Sequence, residues 1–242
     1  MNHSRTAQPI NRTRLWLLAL PLLGALFFVP QAHAQQAAGA IERVNGDATI
    51  VGANNQSRPV RSGEAINAGE TVNTQGGAEV MLKLRDDSRV LLRPNTQMKL
   101  AEYRYDDKAT DGMVVNLFKG AMRAVSGLVG KSHPTNVRFA TTTATVGIRG
   151  TDFELAVVET DSADTRAGTY NYVYDGTTNI SVAAGPNTDV KPEQTGLALA
   201  NPRPGEEPVQ LLRERPAFLT GGGFDALIMQ LTQPIQIMPR FR

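Results

Sequence analysis

Apolar and polar positions alternate with a period of two along much of this chain. Val80, Leu82 and Leu84 alternate with Met81, Lys83 and Arg85, and Met98 and Leu100 alternate with Gln97 and Lys99. A strand shows its two faces at that period, so each run predicts a strand with one buried face. The runs are separated by Gly52 to Ser57, Gln75-Gly76-Gly77, Asp86-Asp87-Ser88 and Arg93-Pro94-Asn95. Such residues favour turns by accepting unusual backbone angles or by bonding their own backbone. Ile41 to Val51 alternates more weakly, with Ala48 and Ile50 on one face. Ser62-Gly63-Glu64-Ala65-Ile66 is echoed by Ala68-Gly69-Glu70-Thr71-Val72, which predicts a glycine turn before each of two short strands.

Residues 137–158 are dense in Val, Ile, Thr and Phe, which suit a pleated surface. Val137, Phe139, Thr141, Thr143 and Thr145 share one face of an extended chain, whereas Val146 and Ile148 take the other phase. Phe153, Leu155 and Val157 return to the first. A phase change needs an extra residue or a turn. The stretch therefore predicts two strands joined by a kink at Gly147 and Gly150. Arg149 and Thr151 sit at the corner and bond exposed backbone there, a structural role. Val114 to Val125 predicts a strand pair bent at Gly120, and Gly127 to Thr135 a flexible connection. Tyr170, Tyr172 and Tyr174 share one face of a later strand. Asp175-Gly176 then predicts a tight turn, with Ile180 and Val182 on the return strand.

These elements make an all-β domain over residues 35–184, a compact roll or solenoid-like arrangement of short strands with glycine turns. Residues 185–208, rich in Pro, Gly, Glu and Asn, read as a linker. Residues 209–242 read as a C-terminal extension, packed back on the domain, partly disordered, or docking a partner. Val209 to Arg215 and Phe224 to Leu231 predict short helices within it. In the second, Phe224, Leu227, Ile228 and Leu231 follow helical spacing.

The N-terminus changes the charge picture. Arg5, Arg12 and Arg14 precede an apolar run from Leu15 to Val29, and Ala32-His33-Ala34 supplies a small-x-small cleavage pattern. This predicts a secretory signal peptide over residues 1–34, cut between Ala34 and Gln35. The run is short for a spanning helix of about 20 residues, so no stable membrane span is expected after cleavage. With the three leader arginines removed, 22 basic residues face 23 acidic ones, a formal charge of −1. Such a balance argues against nucleic acid, whose phosphates call for clustered Lys and Arg. The chain has no cysteine, which excludes disulfides, a thiol nucleophile and Cys-ligated zinc.

Reactive constellations are thin. Gly130-Lys131-Ser132 resembles the end of a phosphate loop, but Val125 stands where the pattern needs glycine. Beyond the leader there is one histidine, His133, too few for a triad or a zinc site. Asp86-Asp87 and Asp106-Asp107 are candidate carboxylate pairs for glycan cleavage, although acids in turns more often bond local N–H groups. Asp161 and Asp164 lack the spaced ligands of a calcium loop. No catalytic residue, metal site or cofactor is expected. The stripe of Tyr170, Tyr172 and Tyr174 is the candidate contact surface, tyrosine offering wide area with a polar tip.

Val146-Gly147-Ile148-Arg149-Gly150-Thr151-Asp152-Phe153 resembles the V-R-G-T-x-F signature that closes the FecR domain. Gly69-Glu70-Thr71-Val72-Asn73-Thr74 resembles that family's G-D/E-x-V-x-T element. The order of strand, acidic turn, Ser, strand and Pro-Asn-Thr also follows it, back to about Ile41. Two positions depart: Phe139-Ala140 stands where members often have Thr-Pro, and Asp86-Asp87-Ser88 where they often have Asp-Gly-Ser. The resemblance implies that Gly147, Arg149, Gly150, Thr151 and Phe153 carry the signature. It also implies the envelope-side part of a regulator that relays a signal towards a sigma factor. With a cleaved leader, the expectation is a non-enzymatic periplasmic module for binding, sensing or scaffolding, its partner an unidentified envelope protein or glycan. The alternatives are a glycan-acting enzyme using carboxylates, and a membrane-anchored relay component if the leader stays.

Overall fold

A computed structural model describes residues 36–183 and 185–219. The predicted leader with its Ala34–Gln35 cleavage point, and the predicted helix from Phe224 to Leu231, lie outside the described residues. The first strands are β1 (Gly39–Asn45), β2 (Ala48–Val51), β3 (Ser57–Pro59), β4 (Ala65–Ile66) and β5 (Thr71–Thr74). β6 (Glu79–Leu84), β7 (Arg89–Leu92), β8 (Gln97–Arg104) and β9 (Gly112–Val125) follow. After a short helix α1 (Leu128–Ser132) and a 3-10 turn come β10 (Val137–Ala140), β11 (Thr145–Val158) and β12 (Gly168–Ser181). The last strands are β13 (Thr188–Val190), β14 (Thr195–Leu199) and β15 (Val209–Leu212). The fold is all-β, as the alternation predicts. All the strands hydrogen-bond into one sheet, with a main path β15-β14-β12-β11-β10-β9-β7-β6-β1-β4. Among the described residues every pairing is antiparallel except that of β10 with β9.

Glycine turns set the early register. Gly63 and Gly69, one in each sequence echo, have φ of +83° and +87° just before β4 and β5. Left-handed backbone of this kind is inexpensive without a Cβ. β9 is one continuous strand rather than a pair. Gly120, at φ +82°, bends it where it changes partners, from β8 and β10 on one half to β7 and β11 on the other. A Cβ on Gly120 would meet the Thr96 Cα at 2.6 Å, so the crossing itself needs glycine.

One face of the sheet closes on a core that includes Ile50, Leu82, Leu92, Leu100, Leu117, Phe139, Phe153 and Val173. Phe139 and Phe153 meet edge to face at 4.9 Å. Such a pair adds about 0.5–1.5 kcal/mol beyond the area it buries.

Further predicted elements differ. The expected single strand from Val137 to Thr145 is a hairpin, because the chain turns at residues 141–144 and pairs Phe139 with Val146. Gly127 to Thr135 is ordered as α1 and the 3-10 turn. Its start is pinned by Asp86, whose backbone carbonyl and carboxylate accept the N–H groups of Leu128 and Val129. Asp175-Gly176 makes no hairpin: β12 runs straight through, with Gly176 at φ +79°. The stretch read as a linker contains β13 and β14, both bonded to β12, and Val209 to Leu212 is strand β15 rather than helix. In β14, Leu197, Ala198 and Leu199 are all buried, so both faces are covered and the alternation that marks a half-buried strand is lost.

Candidate functional site

The family-signature residues surround a paired bulge in β11 and β12. Gly150 has φ +59°, and the β11–β12 register shifts between Arg149 and Asp152. Opposite it, a Cβ on Gly176 would lie 2.2 Å from the Gly150 carbonyl oxygen. The extra residue flips the side-chain phase. It keeps Val146 and Ile148 in the core before the bulge and Phe153 and Leu155 after it. Thr151 is buried, its N–H donating to Ser126 Oγ and its carbonyl accepting from the Ser126 N–H, each at 2.9 Å. Gly147 has no positive φ and sits inside β11, so the kink belongs to Gly150 and Gly176.

Arg149 does not bond the corner, contrary to the sequence reading. It is exposed, and its side chain makes no hydrogen bond or ion pair among the described residues. Its position on the outer face carries it away from the backbone groups of the bulge, which Ser126 already satisfies. Together with Gly147 it lines a cavity of about 470 Å³ on that face. Arg138, Thr145, Thr177, Asn179, Ser181 and Asp189 also border it. Arg138 is likewise exposed, with no side-chain partner among the described residues.

Past the bulge, the same outer face is covered. Arg123 grips Asp152 with two bonds of 2.9 and 2.7 Å, and its guanidinium lies 3.9 Å from the Tyr174 ring centre. Glu154, 1% exposed, accepts from Arg93 at 3.1 Å, from Arg215 at 3.0 Å and from the Tyr174 hydroxyl at 2.9 Å. Arg215 also lies over the rings of Tyr172 and Tyr174, 4.4 and 4.9 Å from their centres. Burial pushes the Glu154 carboxyl above its ordinary value despite the pull of Arg93, Tyr174 and Arg215. Burial and the neighbouring Glu154 push the Tyr174 hydroxyl up to about 12.

The tyrosine stripe is therefore not an open contact surface. Tyr170 is buried, packs edge to face on Phe218 at 5.0 Å, and donates its hydroxyl to the Arg166 carbonyl at 2.8 Å. Tyr172 and Tyr174 are half-buried beneath Arg215. The segment after β15 lies over the stripe, which alternation along β12 cannot reveal. Ala121, Ala156 and Val158 pack on that face beside Tyr170 and Tyr172, an apolar composition that fits its being covered.

Of the candidate carboxylate pairs, Asp86-Asp87 is committed to other partners. Asp86 is fully buried and accepts from the Ser88 and Tyr103 hydroxyls at 2.7 and 3.1 Å. Asp87 turns outward to pair with Lys83 at 3.0 Å. Asp111, not Asp106 or Asp107, holds the 105–111 loop by accepting the N–H groups of Asp106 and Lys108. Among the described residues no group of three or more His, Asp or Glu is placed to hold a metal ion.

The family model "FecR protein" matches residues 70–185, from the second glycine echo to just past β12. The chain carries a FecR domain. No curated protein matches the sequence. Two crystal structures of a protein assigned as an anti-sigma factor in Parabacteroides distasonis are similar at 15% identity, with TM-scores of 0.47 and 0.45. Each comparison covers 60% of this chain, which spans 59% of the length of those structures. A solved cell surface anchoring domain shares 31% identity over 26% of this chain and 82% of its own, with a TM-score of 0.25. In this FecR domain the signature is divided. Gly150, Thr151 and Phe153 build the bulge and the core beneath it, while Gly147 and Arg149 face outward. Among the described residues no helix is long and apolar enough to cross a membrane.

Proposed function

We propose that this chain is a sensing module of a signalling system that works by binding rather than by turnover, on the periplasmic side of a cell envelope. The observation that carries this reading is the outward placement of Gly147 and Arg149. Two signature residues border a cavity instead of closing the fold. The FecR match supports a signalling context. The apolar run before Ala32-His33-Ala34 supports export. The inward commitment of Asp86 and the outward pairing of Asp87 disfavour glycan cleavage by that pair.

The test is cell fractionation with mass spectrometry of the N-terminus. The expected result is a periplasmic product beginning at Gln35. A cytoplasmic product retaining Met1 would overturn the reading. A membrane-bound product retaining Met1 would instead favour an anchored relay component, with residues 15–29 as its anchor.

A further inference from the structure

The cavity over Gly147 is built like a binding site and contributes little to holding the sheet. Across β10, β11, β12 and β13 the register sets Arg138, Gly147, Asn179 and Asp189 side by side. At strand spacing that row is about 14 Å long. Gly147 lies within the row, and nothing in the backbone asks for glycine there. Its φ is not positive, and an added Cβ would meet only the Asn179 carbonyl oxygen, at 4.0 Å. The missing side chain leaves the floor open.

The two ends of the row differ in chemistry. At one end stand Arg138 and, two residues along β11 from Gly147, Arg149. Both line the cavity, and neither side chain has a partner among the described residues. At the other end Asp189 accepts the Asn179 amide at 2.7 Å. Its second oxygen has no partner among the described residues. Thr145, Thr177 and Ser181 line the space between with hydroxyls.

We propose that this cavity binds an acidic sugar, one uronic-acid residue of a glycan. Its carboxylate lies on Arg138 and Arg149, whose planar donor forks match a carboxylate better than any other side chain does. Its ring hydroxyls bond Asn179, Asp189 and the cavity hydroxyls, which supply both donors and an acceptor. A bare phosphate would leave the Asp189 end unused and would meet its negative charge. The cavity volume falls within the ordinary range for small-ligand sites. The proposal rests on the reading of the chain as a recognition module and adds the class of ligand.

The test is calorimetric titration of the purified full chain, as the cell processes it, with glucuronate and a galacturonate trisaccharide. Glucose and inorganic phosphate serve as comparison probes. The expected result is uronate binding at least about tenfold tighter than glucose or phosphate, the margin of one charge-assisted hydrogen-bonded pair. Arg138→Gln and Arg149→Gln should each weaken it about tenfold. Gly147→Val should abolish it by filling the floor, with the melting temperature unchanged or raised. Equal binding of glucose and glucuronate, tighter binding of phosphate, or full binding by either arginine variant would each overturn the proposal. So would the absence of uronate binding to the folded protein. That last result, with a periplasmic product beginning at Gln35, sinks the sugar site and leaves the sensing reading standing. Uronate binding by a cytoplasmic product does the reverse.

Discussion

On one side of the Gly150 bulge, the outer face of β11 and β12 holds Arg123 and Arg215 against carboxylates and tyrosine rings. On the other side it leaves Arg138 and Arg149 with no side-chain partner among the described residues. The two halves share strands, residue types and a sheet face. They differ in cover: the segment carrying Arg215, Phe218 and Leu219 lies over one half only. Charge taken out of water has to be paired, because an isolated buried ion is very costly. Charge left in water does not. Pairing on this face therefore marks structure, and the arginines that border the cavity are those for which a ligand is proposed.

The sharpest way to break this contrast is to remove Glu154, the carboxylate shared by Arg93, Arg215 and Tyr174. Glu154→Ala should cost about 3–5 kcal/mol, the range for stripping one partner from a buried ion pair. Urea denaturation monitored by circular dichroism measures it. A loss below about 1 kcal/mol, the level of a surface pair, would mean that the covered half is wet and the contrast false.

A smaller effect is expected from the glycines that divide the halves. Gly176→Ala should destabilise by about 1–3 kcal/mol, because a Cβ at φ +79° would strike the Gly150 carbonyl oxygen. Gly147→Ala should be neutral or stabilising, since alanine loses less backbone entropy in a strand. Thermal melts of the two variants decide it. If Gly147→Ala proved the more damaging, its glycine would be structural and the cavity incidental.

The legibility of this molecule in its sequence follows the same division. Alternation disclosed β6 and β8 because Lys83, Gln97 and Lys99 set polar neighbours against their apolar faces. The two glycine echoes disclosed Gly63 and Gly69 because only local backbone geometry was at stake. The all-β class needed nothing more. Strands covered on both sides were hidden: in Thr195 to Leu199 every residue is buried, and composition made it look like linker. The hairpin at residues 141–144 was hidden too, since threonine suits strands by propensity while Thr141 here closes a turn by bonding the Ala144 backbone. Of the site, the residues were visible and their partners were not. The motif makes Arg149 read as scaffold, and no motif singles out Arg138. That both flank one cavity depends on the β10–β11 pairing, a consequence of a turn the sequence does not announce.

Acidity offers a third measure of the cover. Burial raises the Glu154 carboxyl in the folded chain above its unfolded value. Between those two values the folded state binds the extra proton, so this group makes stability fall as pH rises through the window and level off above the folded value. For one group the slope cannot exceed about 1.4 kcal/mol per pH unit. Glu70 works the other way: despite burial, Arg58 and the Asn67 N–H lower its carboxyl, and its contribution is lost as pH falls. Subtracting the Glu154→Gln profile from that of the unaltered protein isolates the Glu154 window. A flat difference would show that Glu154 is as readily ionised in the fold as outside it.

The smallest effect belongs to the open half. Arg149→Ala should change stability by no more than about 0.5 kcal/mol in either direction, the usual range for a surface change that touches no cap, core or network. The physical reason is specific to this position. Among the described residues the Arg149 guanidinium forms no bond that the substitution could break, and the bulge beside it is held by Gly150, Gly176 and the Ser126–Thr151 bonds, none of which involves its side chain. Removing one of two neighbouring cations also relieves a mild repulsion with Arg138, so a small gain is the expected sign, and added salt should shrink it. Chemical denaturation of the single and double variants at low and high salt reads both terms. A loss above about 1 kcal/mol for Arg149→Ala would place this arginine among the structural ones and remove the basis for a ligand at Gly147.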